Sequence, residues 1–265
     1  MGRFAGKTVV VTGSGRQKGL GQAILQRFAD EGANCVVSDR HLGEEAEAVA
    51  EDLRARGARV AAIACDVADP DQCEALVQGA VEAFGGIDVF VNNAGIGFMM
   101  TPLLEVKAAD WQTVIGVNLS GAFHCTQAAA RAMIARGSGG RIINIASQAA
   151  KTGFPHLAAY VSSKHGMIGL TRASAIELGG HGITVNAVCP NHVTTALGAE
   201  QNAYFSKLLG FDTVEAYLAN MSAKNPMGRP GLPGDTAATC AWLASADAGY
   251  ITGEAINVSG GEEMH

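Results

Sequence analysis

Residues 7–39 read KTVVVTGSGRQKGLGQAILQRFADEGANCVVSD and contain the clearest indication of the fold class. A β-rich apolar run, Lys7–Thr12, leads into a glycine-rich turn. A helical pattern over Gly19–Glu31 and a second apolar run, Asn34–Ser38, follow it. Runs that are apolar at successive positions are typical of strands covered on both faces, as in a parallel sheet. The stretch therefore predicts a strand–helix–strand unit with a right-handed crossover.

The same alternation continues almost to the end of the chain. Further strands are predicted at Val60–Cys65, Ile87–Val91, Arg141–Ile145, Ile183–Val188 and Ala255–Val258, and further helices at Glu44–Arg56, Pro70–Phe84, Ala109–Arg136, Ala158–Leu178 and Gly234–Ala244. No linker or repeat divides them. We therefore expect one domain over residues 1–265, an α/β fold with a doubly wound, seven-stranded parallel sheet flanked by helices, of the Rossmann-like type.

Residues 194–233 depart from this alternation, because they fit no strand and only patchy helix. Their apolar side chains are too many for a disordered segment: Tyr204, Phe205, Leu208, Leu209, Phe211 and Tyr217. Long excursions within a compact domain are usually functional. We predict a helical lid over a substrate pocket.

Composition excludes several classes of protein. The formal net charge of −6 and the absence of a basic run argue against a nucleic acid or an anionic membrane as partner. No apolar run is long enough to cross a bilayer. The six cysteines are scattered, without zinc-ligand spacing, which indicates buried core residues in a reducing compartment and no metal site. We expect a soluble cytoplasmic protein.

The turn after the first strand reads TGSGRQKGLG over residues 12–21. Glycines at a strand-to-helix turn let the backbone approach a pyrophosphate, and the helix N-terminus supplies unpaired N–H groups. Asp39 ends the second strand, where a carboxylate accepts hydrogen bonds from ribose hydroxyls and repels a 2′-phosphate. This favours NAD over NADP. Arg16 and Arg40 leave NADP open, because either guanidinium could hold that phosphate.

Tyr160 and Lys164 are four residues apart in a predicted helix and so lie on one face of it. The lysine ammonium is expected to lower the pKa of the phenol. Tyr160 would then be a general acid and base for a carbonyl or an alcohol.

Taken together, these residues resemble the short-chain dehydrogenase/reductase family over essentially the whole chain. The family's glycine loop, T-G-x-x-x-G-x-G, is matched by Thr12–Gly21 with two extra residues, and its NNAG signature by Asn92–Gly95. Its helix asparagine is matched by Asn118, and its Y-x-x-x-K by Tyr160 and Lys164. Ser147 matches the family serine, thirteen residues before the tyrosine.

The resemblance implies a catalytic set. Tyr160 would exchange the proton, Lys164 would lower its pKa and bind the nicotinamide ribose, and Ser147 would hold the substrate oxygen. Asn118 would anchor a water in a proton relay. The cofactor site implied by position comprises Gly13, Gly15, Arg16, Gly19, Leu20, Gly21, Asp39, Arg40, Asp66, Val67, Asn93, Ala94, Gly95, Tyr160, Lys164, Pro190, Val193 and Thr195. A homotetramer is also implied, through the helices Ala109–Arg136 and Ala158–Leu178 and the last strand.

Two departures from the family pattern stand out. The insertion around Gly15–Lys18 leaves open which residues contact the pyrophosphate. After the sixth strand the family usually has Pro-Gly, whereas this chain has Pro190-Asn191-His192. Either the side chains of Asn191 and His192 face the substrate, or this segment only has a different backbone conformation that leaves cofactor binding unchanged.

Three functions follow as hypotheses. The first is an NAD-dependent oxidoreductase that interconverts a secondary alcohol, polyol or sugar-like, and its ketone. Its candidate substrate residues are Ser147, Gln148, His156, Tyr160, Asn191 and His192. The second is a reductase of 3-oxoacyl thioesters with NADPH, and the third a non-catalytic dinucleotide sensor.

Overall fold

The computed structural model describes residues 2–97, 100–193 and 196–264. The predicted sheet is present. Its seven strands are all parallel, in the order β3-β2-β1-β4-β5-β6-β7. Their bounds are β1 Thr8–Thr12, β2 Asn34–Asp39, β3 Val60–Ala64, β4 Val89–Asn92, β5 Gly140–Ile145, β6 Ile183–Pro190 and β7 Ala255–Val258. The order reverses between β1 and β4, which is where ligands bind in open α/β sheets.

Helices cover both faces of the sheet. They are α1 Leu20–Asp30, α2 Glu44–Ala55, α3 Pro70–Phe84, α4 Ala108–Ile115, α5 Gly121–Arg136, α6 Ala158–Leu178, α7 Ala196–Leu208, α8 Val214–Lys224 and α9 Pro233–Ala244. Successive β1 side chains alternate between the two layers. Val9 and Val11 pack with residues of α1, α2 and α9, whereas Val10 packs with residues of α3 and α5. Because both faces are buried, the strand is apolar at every central position.

The predicted helix Ala109–Arg136 is not continuous. A π-helical turn, Gly116–Ser120, separates α4 from α5. Asn118 lies in this turn, and its side chain bonds the backbone of Ile96 on a neighbouring loop. Gly116 at the start of the turn has a low helix propensity, and π-helical turns are frequent at functional sites.

Residues 196–224 form more regular structure than the sequence pattern predicts, with α7 and α8 separated by a short link. Phe205 of α7 and Tyr217 of α8 are buried against Leu157, and Tyr160 packs on the same cluster. The helical segment after β6 therefore lies over the carboxyl ends of the central strands.

All six cysteines are buried, as predicted. No helix of the described residues is long and apolar enough to cross a membrane.

Candidate active site

The loops after β1 and β4 are joined by side-chain hydrogen bonds. The Thr12 hydroxyl accepts from the backbone N–H groups of Asn93 and Ala94, each at 3.1 Å. The Asn93 amide donates to the carbonyl oxygens of Thr12 at 2.8 Å and Gly13 at 3.0 Å. The sequence motifs TG and NNAG thus form one rigid floor at the point where the strand order reverses.

Glycines in this floor make room that a side chain would fill. Gly13 has a φ of +63°, and a Cβ atom there would lie 2.7 Å from the Cα atom of Ala94. A Cβ atom on Gly21 would lie 2.7 Å from the carbonyl oxygen of Gly13. Helix α1 begins directly beyond, and its Gly19 cap supplies no side-chain acceptor. This backbone cradle at a helix N-terminus fits the pyrophosphate of a dinucleotide.

The two extra residues of the loop are absorbed by a local turn. Lys18 adopts a left-handed conformation with φ of +56°, and its N–H donates to the Gln22 side chain at 2.6 Å. The turn leads directly into α1 at Leu20. Arg16 is exposed beside it.

Asp39 lies at the end of β2 against the glycine loop. One carboxylate oxygen accepts from the Gly15 N–H at 3.1 Å, and the other accepts from the Arg40 N–H at 2.8 Å. The Arg40 guanidinium points instead to His41, at 3.2 Å. The carboxylate is therefore fixed next to the cradle by backbone donors and retains lone pairs for ribose hydroxyls.

Asp66 and Val67 follow β3 on the adenine side of the expected site. The Asp66 carboxylate accepts from the Ala68 N–H at 3.0 Å, and its backbone N–H donates to Gln72 at 2.9 Å. Val67 is buried, and its side chain occupies the space that a Cβ atom on Gly121 would enter. Asp66 and Val67 are thus both held in place on the expected adenine side of the site.

Asn118 and Lys164 converge on the loop after β4. A Cβ atom on Gly95 would lie 3.3 Å from the Asn118 Oδ1 and 3.7 Å from the Lys164 Nζ. Asn118 is fully buried and bonds Ile96 through both its amide atoms, each at 2.8 Å, and it donates to the Ser163 hydroxyl at 3.1 Å. The π-helical turn is what directs this side chain across to the loop.

Tyr160 and Lys164 lie on one face of α6, as their spacing predicts. The Lys164 Nζ is 5.7 Å from the centroid of the Tyr160 ring and donates to the Ile145 carbonyl oxygen at 2.7 Å. Burial lowers the pKa of Lys164 to about 8. Burial raises the pKa of Tyr160, and a hydrogen bond with Ser147 lowers it in part.

The prediction that the pKa of Tyr160 lies below its ordinary value is therefore wrong for the protein without a dinucleotide, because burial raises that pKa. The same burial that raises the pKa of the phenol also disfavours the lysine's charge, and the ammonium donates to Ile145. The partner that lowers the tyrosine pKa is Ser147. Ser147 follows β5 and caps the short turn Gln148–Ala150, accepting from the Ala149 N–H at 3.1 Å.

His156, which the sequence predicts to lie on the substrate side, pairs with helix α7. His156, with a φ of +63°, has its Nδ1 atom 2.7 Å from the Tyr204 hydroxyl on α7. Sequence reasoning missed Tyr204 as a partner and also Gln201, whose side chain donates to the Gly97 carbonyl at 3.2 Å. The aromatic content of residues 194–233 was the available signal. Gln148 is buried beside Ser147.

The segment after β6 is held from several sides. Pro190 is the last residue of β6, and Asn191 is buried with its amide donating to Glu262 at 2.6 Å. His192 has a φ of +38°, and its ring lies edge-on to Tyr217 with centroids 6.2 Å apart. Burial lowers the pKa of His192. Val193 forms a bridge with Gly231.

Thr195, which the sequence places near the carboxamide, lies outside the described residues.

Comparison with known proteins adds the family. A family model described as enoyl-(acyl carrier protein) reductase matches residues 13–263. The chain is 40% identical over 258 residues to the 3-oxoacyl-acyl-carrier-protein reductase FabG of Staphylococcus aureus, covering 97% of this chain and 98% of the relative. This chain belongs to the short-chain dehydrogenase/reductase family.

Other members of the family are nearly as similar. The 3beta-hydroxysteroid dehydrogenase 1 of Eggerthella lenta is 39% identical over 260 residues, covering 98% of this chain and 95% of the relative. A solved structure of NAD+-bound xylitol dehydrogenase superimposes with a TM-score of 0.91 at 31% identity, covering 97% of this chain and 99% of that chain. The short-chain dehydrogenase described here is accordingly an NAD(P)-dependent oxidoreductase of small-molecule substrates.

Proposed function

We propose that this short-chain dehydrogenase interconverts a secondary alcohol and its ketone, with NAD as the preferred cofactor and Tyr160 as the acid and base. The observation that carries the proposal is the convergence of four side chains at one end of the sheet. Asn118 and Lys164 meet at Gly95, and the Ser147 side chain is close enough to the Tyr160 hydroxyl to lower its pKa. The glycine cradle adjoins this group.

Each residue then has a definite task. A nicotinamide held beside these side chains would supply or accept the hydride. Tyr160 donates its proton to the ketone oxygen, or takes one from the alcohol, while the Ser147 hydroxyl stabilises charge that develops on that oxygen. Lys164 is buried and cationic below its pKa of about 8, so it favours the ionised phenol that alcohol oxidation requires. Asn118 fixes the loop at Ile96 and anchors a water for proton exchange.

The cofactor preference rests on Asp39. Its carboxylate is held against the glycine loop by two backbone N–H groups, so a 2′-phosphate would meet a fixed negative charge. The Arg40 guanidinium points to His41. The likeness to an NAD+-bound xylitol dehydrogenase supports the same preference.

For the substrate we propose an oxygen-rich secondary alcohol, such as a polyol. Gln148 and His156 supply polar groups on the substrate side, and Asn191 and His192 remain candidates beside them. Aromatic residues of α7 and α8 pack in the same apolar cluster as Tyr160. They provide an apolar face for the carbon skeleton.

A second candidate is reduction of 3-oxoacyl thioesters with NADPH, favoured by the 40% identity to the staphylococcal reductase. The same tyrosine, serine and lysine would serve it. The fixed charge of Asp39 speaks against the phosphorylated cofactor. We therefore place this candidate second.

The test is a panel of polyols, cyclic diols, hydroxysteroids and 3-oxoacyl thioesters, each with both cofactors. We expect kcat/KM for the best alcohol to be higher with NAD than with NADP. Asp39→Ser should narrow or invert this ratio, by about tenfold or more, whereas Asp30→Asn on the outer end of α1 should not. Faster turnover of a thioester with NADPH would favour the second candidate. Tight NAD binding with no turnover of any substrate would favour a sensor.

A further inference from the structure

Near the end of the sequence, residues Ser259–Glu263 form a compact turn, which we call the hook. The Ser259 hydroxyl donates to the Glu263 carbonyl oxygen at 3.1 Å and accepts from the Glu263 N–H at 3.2 Å. Asn257 of β7 donates to the same carbonyl at 3.1 Å. Asn225, at the end of α8, donates to the Ser259 carbonyl at 2.7 Å. The hook is thus a fixed structure tied to both the sheet and the lid helices.

The two consecutive glutamates of the hook reach different segments. The Glu263 carboxylate, which is buried, accepts from the Thr152 hydroxyl. Thr152 in turn closes the turn after Ser147, since its N–H donates to the Gln148 carbonyl at 3.0 Å. Glu263 therefore holds the segment that begins at the proposed substrate-binding serine.

Glu262 holds the second segment. Its carboxylate accepts from the buried Asn191 amide at 2.6 Å, directly after β6. The next residue, His192, has a φ of +38°, which is unfavourable for a residue with a side chain. Such backbone strain persists only where the surrounding structure enforces it, and here the contacts of Asn191 and the Tyr217 ring do so.

These two segments meet beside the reacting groups. The backbone N–H of Ser147 and the ammonium of Lys164 are both close enough to the Cys189 thiol of β6 to lower its pKa. We propose that Glu262 and Glu263 are positioning residues, which hold Ser147–Thr152 and Pro190–His192 in register on the substrate side of the site. The proposal rests on the oxidoreductase function proposed above.

Loss of either carboxylate should misplace the substrate more than the dinucleotide, because Pro190 is the one predicted cofactor residue that these two segments contain. Displacements of about 1 Å at a reacting centre can cost about a hundredfold in rate. The glycine loop follows β1 and Asp39 ends β2, whereas the two segments follow β5 and β6. The expected signature is therefore a fall in kcat/KM for the alcohol with an unchanged Kd for NADH.

The experiment compares Glu262→Ala and Glu263→Ala with Glu262→Gln and Glu263→Gln in the full chain. Each alanine variant should lower kcat/KM for the best alcohol by about tenfold, with Kd for NADH within about twofold of wild type. Each glutamine variant retains an acceptor oxygen and should recover activity to within about threefold of wild type. Glu254→Gln, an exposed carboxylate at the start of β7, is the matched control and should change nothing.

A double variant tests the contact itself. If Glu262 acts through Asn191, then Asn191→Ala combined with Glu262→Ala should be no more impaired than the worse single variant. Additive losses would overturn the assignment of Glu262, as would full activity of both alanine variants. Equal losses in the alanine and glutamine variants, with a parallel fall in Tm, would show a structural role only.

Hydrogen exchange of the cofactor-free protein separates this inference from the proposed function. Amides of residues 148–156 and 189–193 should exchange faster in both alanine variants than in wild type. If the wild-type protein turns over no substrate, the proposed function is wrong. The exchange measurement still shows whether Glu262 and Glu263 hold the two segments in place. Unchanged exchange in both segments would refute the positioning role.

Discussion

The Nζ atom of Lys164 lies 5.7 Å from the centroid of the Tyr160 ring. The lysine is nearly fully buried, so its charge is costly in the cofactor-free protein. Its pKa falls to about 8. Lys164 therefore affects both catalysis and folding stability. Its positive charge favours the ionised form of Tyr160, but burying that charge destabilises the folded protein.

Replacing Lys164 should flatten the dependence of stability on pH. Between about 8 and the ordinary lysine pKa of 10.5, the unfolded chain binds a proton that the folded protein has released. The contribution of this group to the free energy of unfolding therefore rises with pH between these two values. Below about pH 8, burial of the charged lysine lowers the free energy of unfolding by about 3 kcal/mol. Urea unfolding of cofactor-free Lys164→Met should lack this rise.

Lys207→Met, on the exposed side of α7, is the control and should retain the wild-type slope. A Lys164→Met profile parallel to wild type from pH 8 to pH 10 would show that Lys164 is not the group that titrates there.

Removing the Tyr160 hydroxyl should stop the chemistry without unfolding the protein. Tyr160→Phe retains the ring that packs in the cluster of Leu157, Phe205 and Tyr217. We expect kcat to fall by about a hundredfold to ten-thousandfold, since that is the usual contribution of a positioned acid or base. Initial rates and NADH binding are the measurements. Tyr250→Phe, at a fully exposed tyrosine, should match wild type. Undiminished turnover by Tyr160→Phe would exclude the proposed mechanism.

Ser147→Ala should move the pH profile of alcohol oxidation to higher pH. The hydrogen bond with Ser147 lowers the pKa of Tyr160, which burial raises, so its loss leaves the raising effect unopposed. Oxidation needs the ionised phenol, and its rate therefore rises with pH through that pKa. Ketone reduction needs the protonated form and is favoured at lower pH.

The profile should be measured as kcat with a deuterated alcohol, so that hydride transfer is known to limit the rate. Ser138→Ala, in the exposed turn before β5, provides the comparison. A rising limb at the wild-type position in Ser147→Ala would mean that Ser147 does not tune the tyrosine.

Much of the fold could be predicted because local pattern and tertiary environment agree. Strands buried on both faces must be apolar at successive positions, and β1 with its five buried residues shows this directly. The helix Ala158–Leu178 was predicted with the observed bounds. The role of the glycines in the first loop could be predicted because a close approach of two backbone segments leaves no room for a side chain.

What could not be predicted depends on distant contacts. The π-helical turn at Asn118 has no signal of its own, since a helical pattern continues through it. The Asn191–Glu262 bond joins residues 71 positions apart in the chain. The raised pKa of Tyr160 depends on depth of burial, which spacing to Lys164 does not report.

The glycine cradle gives the sharpest test of the nucleotide site. Gly13→Ala would place a Cβ atom 2.7 Å from the Ala94 Cα and would force a side chain into a left-handed conformation at φ +63°. Hydrogen bonds from Asn93 to the Gly13 carbonyl oxygen and from the Ala94 N–H to Thr12 hold the two backbones in place, so the clash cannot be relieved by a side-chain rotation. We expect a loss of about 2–4 kcal/mol in the free energy of unfolding.

NADH binding should fall together with stability, because the floor of the cradle must shift to admit the methyl group. Gly180→Ala is the matched control, since its Cβ atom would meet nothing within 4 Å. Urea unfolding and NADH fluorescence titration, both done on the two variants and wild type, separate the effects. If Gly13→Ala is destabilised yet binds NADH with wild-type affinity, the dinucleotide does not rest on this turn, and the assignment of the loop must be abandoned.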